Sequence, residues 1–537
     1  MFFAMLPDSS AAVIAAVVVA VFSSGIVYFI RRLNEQRRFY RDNDVPKPPH
    51  DWLWGHAKIV GEYGKKITGD YMQAAWAQMK YDHKLPEVFY LDLWPFGPEF
   101  IICSGPDAMA LPTTANSYAQ ADIVTKFFGQ SVGTTFIEAT NGPLWKELHQ
   151  MLAPGLTPSA TKTYHDPIFH EAKQLHDRIR SLAATEEVID ISAELGRFPF
   201  AVIWRVMFGE TSTGHLYDDT KRLADISSSV PRTMNPIVLH SEKRERAAIV
   251  KRLEAEIGKI TRTRFSELKA DKSNLPTRTT ATCLLDRMLL GHLQDGLPLD
   301  DRLMRLIHEN GKGMLAAGYG TTTDTSSYVF MLLSVFPSVL QKLREEHDRV
   351  FPNDLGGTLE LLRSDPFIIT KELPYTTAVI QETLRLFPIG MVVRALPPGM
   401  TSFDLNGKTY PVRPSNYFGV LSYASHYDPN IFDSPSDFRP ERFLAEEPDF
   451  PRNAYRPFER GLRSCIGQSL AMDEMRISLV MLARWFDFEL RDHNPVKVPR
   501  LSHTDLDTKL GDHAFQMSRF SAGPNGAAMM KVRVARR

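Results

Sequence analysis

One cysteine, Cys465, sits in a stretch built to favour its anion: Phe458-Glu459-Arg460-Gly461-Leu462-Arg463-Ser464-Cys465-Ile466-Gly467. A thiol binds a metal as thiolate, so its surroundings must stabilise negative charge. After Cys465, Leu470, Met475, Ile477, Val480, Leu482 and Phe486 recur at roughly helical spacing. That spacing predicts a helix opening beside the sulfur, with free backbone N–H groups and the positive dipole end near it. Gly461 and Gly467 allow a tight turn and close backbone approach to a flat ligand. Phe458 can cover the sulfur and keep water away. The plain alternative is an inert buried thiol.

A second group of residues suits structure more than chemistry. Glu382 and Arg385 lie three apart in a helical run before Pro388, which puts them on one helix face. Phe438-Arg439-Pro440-Glu441-Arg442-Phe443 follows downstream. Buried charges need partners, and Arg442 is available to complete the pair. A third group lies in an expected long helix, Asp301 to about Phe336. Its centre runs Gly311-Lys312-Gly313-Met314-Leu315-Ala316-Ala317-Gly318-Tyr319-Gly320-Thr321-Thr322. Each interior helix glycine costs about 1 kcal/mol against alanine. Four so close together imply close approach of a neighbour or a distorted helix, and Thr321 can bond back to the Ala317 carbonyl. Gly311 to Ala316 also fits the G-x-G-x-x-A dinucleotide fingerprint, but that motif needs a preceding strand, and Asp301–Asn310 reads as helix.

Taken together these motifs resemble the cytochromes P450, from about Pro48 to Arg537. The cysteine loop resembles that family's haem-binding loop, which implies Cys465 as the thiolate ligand of haem b iron, with Phe458 and Arg463 as cofactor contacts. Such a thiolate pushes electron density into iron and favours O–O cleavage. The resemblance also implies a buried network of Glu382, Arg385 and Arg442 locking the cysteine loop. Thr321 then lies on the distal haem face and helps deliver protons. The family's usual acid is replaced by Gly320, so either protons come from elsewhere, such as water or Asp324 one turn on, or the reaction depends less on their supply. Trp145, in a helix opening at Asn141-Gly142-Pro143, and Arg394 are expected at the haem propionates. His149 stands where many members have arginine. Phe127, Phe128 and Phe136, in a stretch Ala119–Gly142 that reads as loop, together with Ala317, Ile389, Met391 and Val392, are expected to line the substrate pocket.

The elements that must position these residues follow from the rest of the chain. The 537 residues carry a formal net charge of zero, which calls for no nucleic-acid partner. Three cysteines, Cys103, Cys283 and Cys465, without a Cys-x-x-Cys, support neither a zinc site nor a disulfide framework. Ala11 to Ile30 has no charged residue, which matches the roughly 30 Å hydrocarbon core of a bilayer. Arg31, Arg32, Arg37, Arg38 and Arg41 follow, so the positive-inside rule places the body in the cytosol. A cleaved signal peptide is the rival reading, opposed by the lack of a basic start. Pro46-Lys47-Pro48-Pro49 reads as a stiff hinge. The expected organisation is a membrane anchor at 1–30, a basic stop and hinge at 31–50, and one catalytic domain at 51–537. Val88–Trp94 and Phe100–Cys103 read as a hairpin around Gly97-Pro98, and Met529–Val534 as a final strand. Residues from about Asp166 to Lys269 read as helices broken near Ser227–Pro236, and Asp271 to Thr282 as a polar loop.

The resemblance implies a mainly α fold with small β-sheets, mostly near the N-terminal side. It implies a single-pass protein of the endoplasmic reticulum membrane, similar to fungal P450s that tailor secondary metabolites. The implied reaction is monooxygenation of a hydrophobic small molecule with O2, by hydroxylation or epoxidation. Electrons would come from NADPH through a separate P450 reductase, because the chain after Cys465 is too short for a flavin domain. Two alternatives stand beside it: a P450-fold isomerase or dehydratase working without O2, and a non-catalytic membrane haem sensor.

Overall fold

The helix Asp301–Val335 runs through the middle of the protein, and the remaining elements are arranged around it. The computed structural model describes residues 8–212, 214–227, 235–271, 275–277 and 280–535, with side chains from Val13 onward. Asp300 caps this long helix by accepting the Leu303 N–H at 2.7 Å. The helix is unbroken α through all its glycines, so the dinucleotide turn is absent there. Close packing, not distortion, accounts for them. A Cβ on Gly313 would lie 2.2 Å from the Phe136 ring, and one on Gly318 would lie 2.7 Å from Ile203. Helices Arg197–Phe208, Pro236–Ala270, Pro374–Leu386 and Gln468–Leu482 pack on it and share one large apolar core.

The strands are β1 (Val88–Asp92), β2 (Glu99–Cys103), β3 (Val188–Asp190), β4 (Val392–Ala395), β5 (Ser402–Leu405), β6 (Lys408–Pro411), β7 (Asn416–Val420), β8 (Phe486–Leu490), β9 (Gln516–Ser518), β10 (Ala522–Pro524) and β11 (Met529–Val534). They form a four-stranded sheet ordered β1-β2-β7-β4, a three-stranded sheet β3-β11-β8, and the ribbons β5-β6 and β9-β10. The β1–β2 hairpin pairs Val88 with Cys103, and β2 runs parallel to β7. Contrary to the expectation that sheets gather near the N-terminal side, only β1–β3 precede the long helix. A two-stranded hairpin is marginal alone, and β1–β2 is completed by strands from about 300 residues later.

The stretch expected as loop between Ala119 and Gly142 contains a helix, Asp122–Ser131. Asp122 in its first turn suits the helix dipole and pairs with Lys126 one turn on at 2.6 Å. The break expected at Ser227–Pro236 falls largely on residues 228–234, outside the described residues. Parts of the loop expected at Asp271–Thr282 (272–274 and 278–279) also lie outside them. The flanking helices Leu216–Asp225, Pro236–Ala270 and Leu284–Gln294 are in place.

The N-terminal helix Asp8–Asp42 is long and apolar enough to cross a membrane. Its side chains are exposed from Val13 to Arg32, but Leu33, Gln36, Arg37 and Tyr40 are buried against the body. Arg37 leaves the run of surface arginines. Its guanidinium pairs with Asp92 and donates to the carbonyls of Trp52 (3.0 Å), Leu53 (3.0 Å) and Trp94 (2.8 Å). The proline segment that follows is irregular and rests on β1, where the Tyr90 N–H donates to the Pro46 carbonyl at 2.8 Å.

Candidate active site

The cysteine loop is closed by its own backbone: the Cys465 N–H donates to the Phe458 carbonyl at 2.9 Å. Gly461 has φ +88°, and a Cβ there would meet the Thr113 carbonyl at 2.6 Å, so the turn needs glycine twice over. The helix begins at Gln468, and the N–H groups of Gly467 and Gln468 are aimed at the Cys465 sulfur. Burial pushes the thiol up to about 11, while those two donors pull it the other way. The Cys465 side chain is nevertheless accessible. Protein atoms still crowd it closely enough for burial to raise its pKa. Cys103 and Cys283 are buried outright, and Cys283 spends its sulfur capping a helix by accepting the Asp286 N–H at 3.5 Å.

On the long helix, every residue from Asn310 to Leu333 is buried except Ala317, Gly318 and Thr321. Spacings of three and four put these on one face. Thr321 Oγ1 donates to the Ala317 carbonyl at 2.7 Å, which leaves its lone pairs free to accept. The stretch 119–142, the roof segment, ties this helix to the cysteine loop. Asn310 accepts the Ile137 N–H at 3.0 Å, and Arg463 Nη2 donates to the Thr140 carbonyl at 2.9 Å and to Asn141 at 2.8 Å.

Cations gather here. Arg463 lies over the Trp145 ring at 4.6 Å, and the His149 ring is 4.9 Å from Trp145. Burial, then Arg463, lowers the His149 pKa, so His149 backs Trp145 as a neutral ring. Arg394 is buried and donates to Gln120, which also donates to the Glu138 carbonyl at 3.1 Å. Burial and the neighbouring Arg394 bring Arg463 down to about 10. Nη1 of Arg463 and Nη1 of Arg456 are buried with no hydrogen-bond partner among the described residues.

The structure brings Glu382, Arg385 and Arg442 together. Arg385 Nε and Nη2 donate to Glu382 at 2.7 and 2.8 Å, and Arg442 Nε at 2.9 Å. The remaining Arg385 donors reach the carbonyls of His426 (2.7 Å), Pro435 (2.8 Å) and Asp437 (3.2 Å). His426 carries the link onward. Burial lowers its pKa to about 3, so it is neutral. Nδ1 donates to the Arg385 carbonyl at 3.0 Å and Nε2 accepts the Arg456 N–H at 3.2 Å, two residues before Phe458.

Phe127, Phe128 and Phe136 form one aromatic cluster, joined by Phe520 from the β9–β10 turn; Phe128 lies 5.3 Å from both Phe136 and Phe520. Ile389, Met391 and Val392 are half-buried at the entry to β4. Sequence reasoning missed Gln120, Arg456, His426 and Phe520, each a lone residue with no spacing pattern around it.

The P450 family's sequence model, "Cytochrome P450", matches residues 46–509. The chain belongs to the cytochrome P450 family. Similar proteins include cytochrome P450 monooxygenase acrF of Aspergillus aculeatus, 28% identical over 86% of this chain and 97% of that one. Cytochrome P450 monooxygenase polC of Polytolypa hystricis is 26% identical over 93% and 92%, and ptmJ of Penicillium ochrochloron 26% over 86% and 87%. This P450 is a monooxygenase, an oxidoreductase whose family implies a haem-thiolate iron, a small-molecule substrate and O2. The residues present fit that cofactor. An accessible thiol with two aimed N–H groups suits an iron ligand, since a bound cation deprotonates a coordinating thiol. Crowded, under-partnered arginines suit two carboxylates such as haem propionates.

Proposed function

We propose that this P450 monooxygenase hydroxylates or epoxidises an apolar small molecule, such as a polyketide or terpenoid, in secondary metabolism. The observation that carries the substrate class is the carbon-rich aromatic cluster of Phe127, Phe128, Phe136 and Phe520. Haem b bound through Cys465 would supply oxygen activation. The chain's own residues do the rest. Cys465 would hold the iron, and Phe458 would keep water from the sulfur. Arg463, Arg394 and Trp145 would hold the propionates, the last through the Arg463 stack. Thr321 Oγ1, on the long helix, would accept and pass on a proton. The aromatic roof excludes water, which strengthens every polar interaction inside. Glu382, Arg385 and Arg442 hold the loop carrying Cys465 in place.

Electrons come from NADPH through a separate P450 reductase. The N-terminal helix spans the endoplasmic reticulum membrane once, with Arg31, Arg32, Arg38 and Arg41 at its cytosolic end. The direct test compares metabolites of cells with and without the chain; the compound that accumulates in its absence is the substrate. Purified with reductase, the chain should convert that compound only with both NADPH and O2. Turnover without either one would refute monooxygenation of it.

A further inference from the structure

Gly320 leaves the long helix without a side chain where the family's pattern places an acid, and a different element fills that space. Ser521, at the tip of the β9–β10 turn, puts its Oγ 3.3 Å from where a Gly320 Cβ would stand. Ser521 Oγ is hydrogen-bonded to the Asp324 carboxylate. Asp324 lies four residues after Gly320 and three after Thr321, so all three share one side of the helix. It is buried, and the backbone of Gly523 closes over it: a Cβ on Gly523 would lie 2.3 Å from Asp324 Oδ1. We propose that Asp324 and Ser521 together replace the missing acid, Asp324 storing the proton and Ser521 handing it to the Thr321 side of the helix. This rests on the monooxygenase reading of the same site.

The transfer balances within the chain. The Asp324 O–H bond breaks as its proton passes to Ser521 Oγ, and the hydroxyl proton of Ser521 leaves for Thr321 Oγ1 or a water beside it. Asp324 is then a carboxylate and takes a new proton from solvent. The charged groups facing it offer a way out. Arg519 on the same turn lies 3.5 Å from Asp225, and Asp225 pairs with Lys221 at 2.8 Å; all three are partly exposed. Tyr319 and Tyr328, both buried, are further titratable groups facing it. Burial raises Asp324 to about 6, against the pull of Ser521 and Arg519, so the carboxyl is part-protonated at neutral pH.

The test uses the haem-loaded full chain, its Asp324→Asn and Ser521→Ala variants, and NADPH with reductase but no added substrate. The reduced-CO absorption band is recorded first. If the unsubstituted chain lacks the band, the haem reading itself fails; if all three show it, the relay is being tested alone. NADPH oxidation should then slow by about tenfold or more in both variants, with a larger solvent deuterium effect than in the unsubstituted chain. Returning a carboxylate to the helix with Gly320→Asp, plus Ser521→Ala to make room, should restore the rate in the Asp324→Asn background. Thermal unfolding gives a readout independent of turnover. A carboxyl whose folded pKa exceeds its unfolded value stabilises at low pH and loses that contribution as pH rises through about 6. The Tm of Asp324→Asn relative to the unsubstituted chain should therefore climb between pH 5 and 7. Unchanged rates and isotope effects in both variants, or a flat Tm difference across that range, would overturn the proposal.

Discussion

Replacing Glu382 by Gln keeps the shape of the side chain and removes its charge. Glu382 accepts from Arg385 at 2.7 and 2.8 Å, from Arg442 at 2.9 Å and from the Arg439 N–H at 3.0 Å. The side chains of Glu382 and Arg385 are 0% exposed and that of Arg442 6%. The amide would point its own donors at a guanidinium and leave two cations with no anion in a dry site. Breaking a buried pair from one side costs about 3–5 kcal/mol. Arg442→Met is the internal control. It leaves Glu382 matched by Arg385, so its cost should stay nearer the ~1–3 kcal/mol of stranding one buried polar partner. Urea unfolding of the two variants measures both, read as a midpoint shift at constant slope. Glu382→Gln should also lower haem content, because strain at Arg385 reaches the cysteine loop through His426 and Arg456. If Glu382→Gln costs under 1 kcal/mol, or no more than Arg442→Met, the triad is not what holds the loop.

Other outcomes follow from single contacts. Gly313→Ala sets a Cβ 2.2 Å from the Phe136 ring, so overpacking should cost about 1–3 kcal/mol in thermal or urea unfolding and displace the roof segment. Arg463→Met removes a half-buried cation whose Nη1 has no hydrogen-bond partner among the described residues, so haem retention on a desalting column should fall while the apoprotein loses little stability. His149→Phe should leave haem retention at pH 8 nearly unchanged, because burial and then Arg463 lower the pKa of His149 behind Trp145; a marked loss would give it a direct role at the cofactor.

Much of the fold could be read from the chain because its strongest signals are long and periodic. The helix over Asp301–Val335 and the strand Met529–Val534 lie where their spacing puts them. The four helix glycines were legible as a demand for space, which Phe136 takes at Gly313, Ile203 at Gly318, Phe208 and Ile257 at Gly311, and Ser521 at Gly320. What escaped was decided by tertiary packing. The Asp122–Ser131 helix has a weak local sequence and is held by its ion pair and the aromatic cluster. Arg37 looked like one more surface charge, yet four partners from residues 52–94 draw it inward. In the candidate site, spacing marked Glu382 and Arg385, but nothing local could mark His426, whose role depends on partners 41 and 30 residues away. Ser521 is nearly two hundred residues from Asp324, so their meeting is a property of the fold alone.

The reduced-CO absorption spectrum of haem-loaded Cys465→Ser, beside the unsubstituted chain, bears most directly on the whole account. The unsubstituted chain should give the band of a thiolate-bound haem, and the serine variant should lose it while Cys103→Ser and Cys283→Ser keep it. A band that survives in Cys465→Ser, or that vanishes with either of the other two, would place the iron ligand elsewhere.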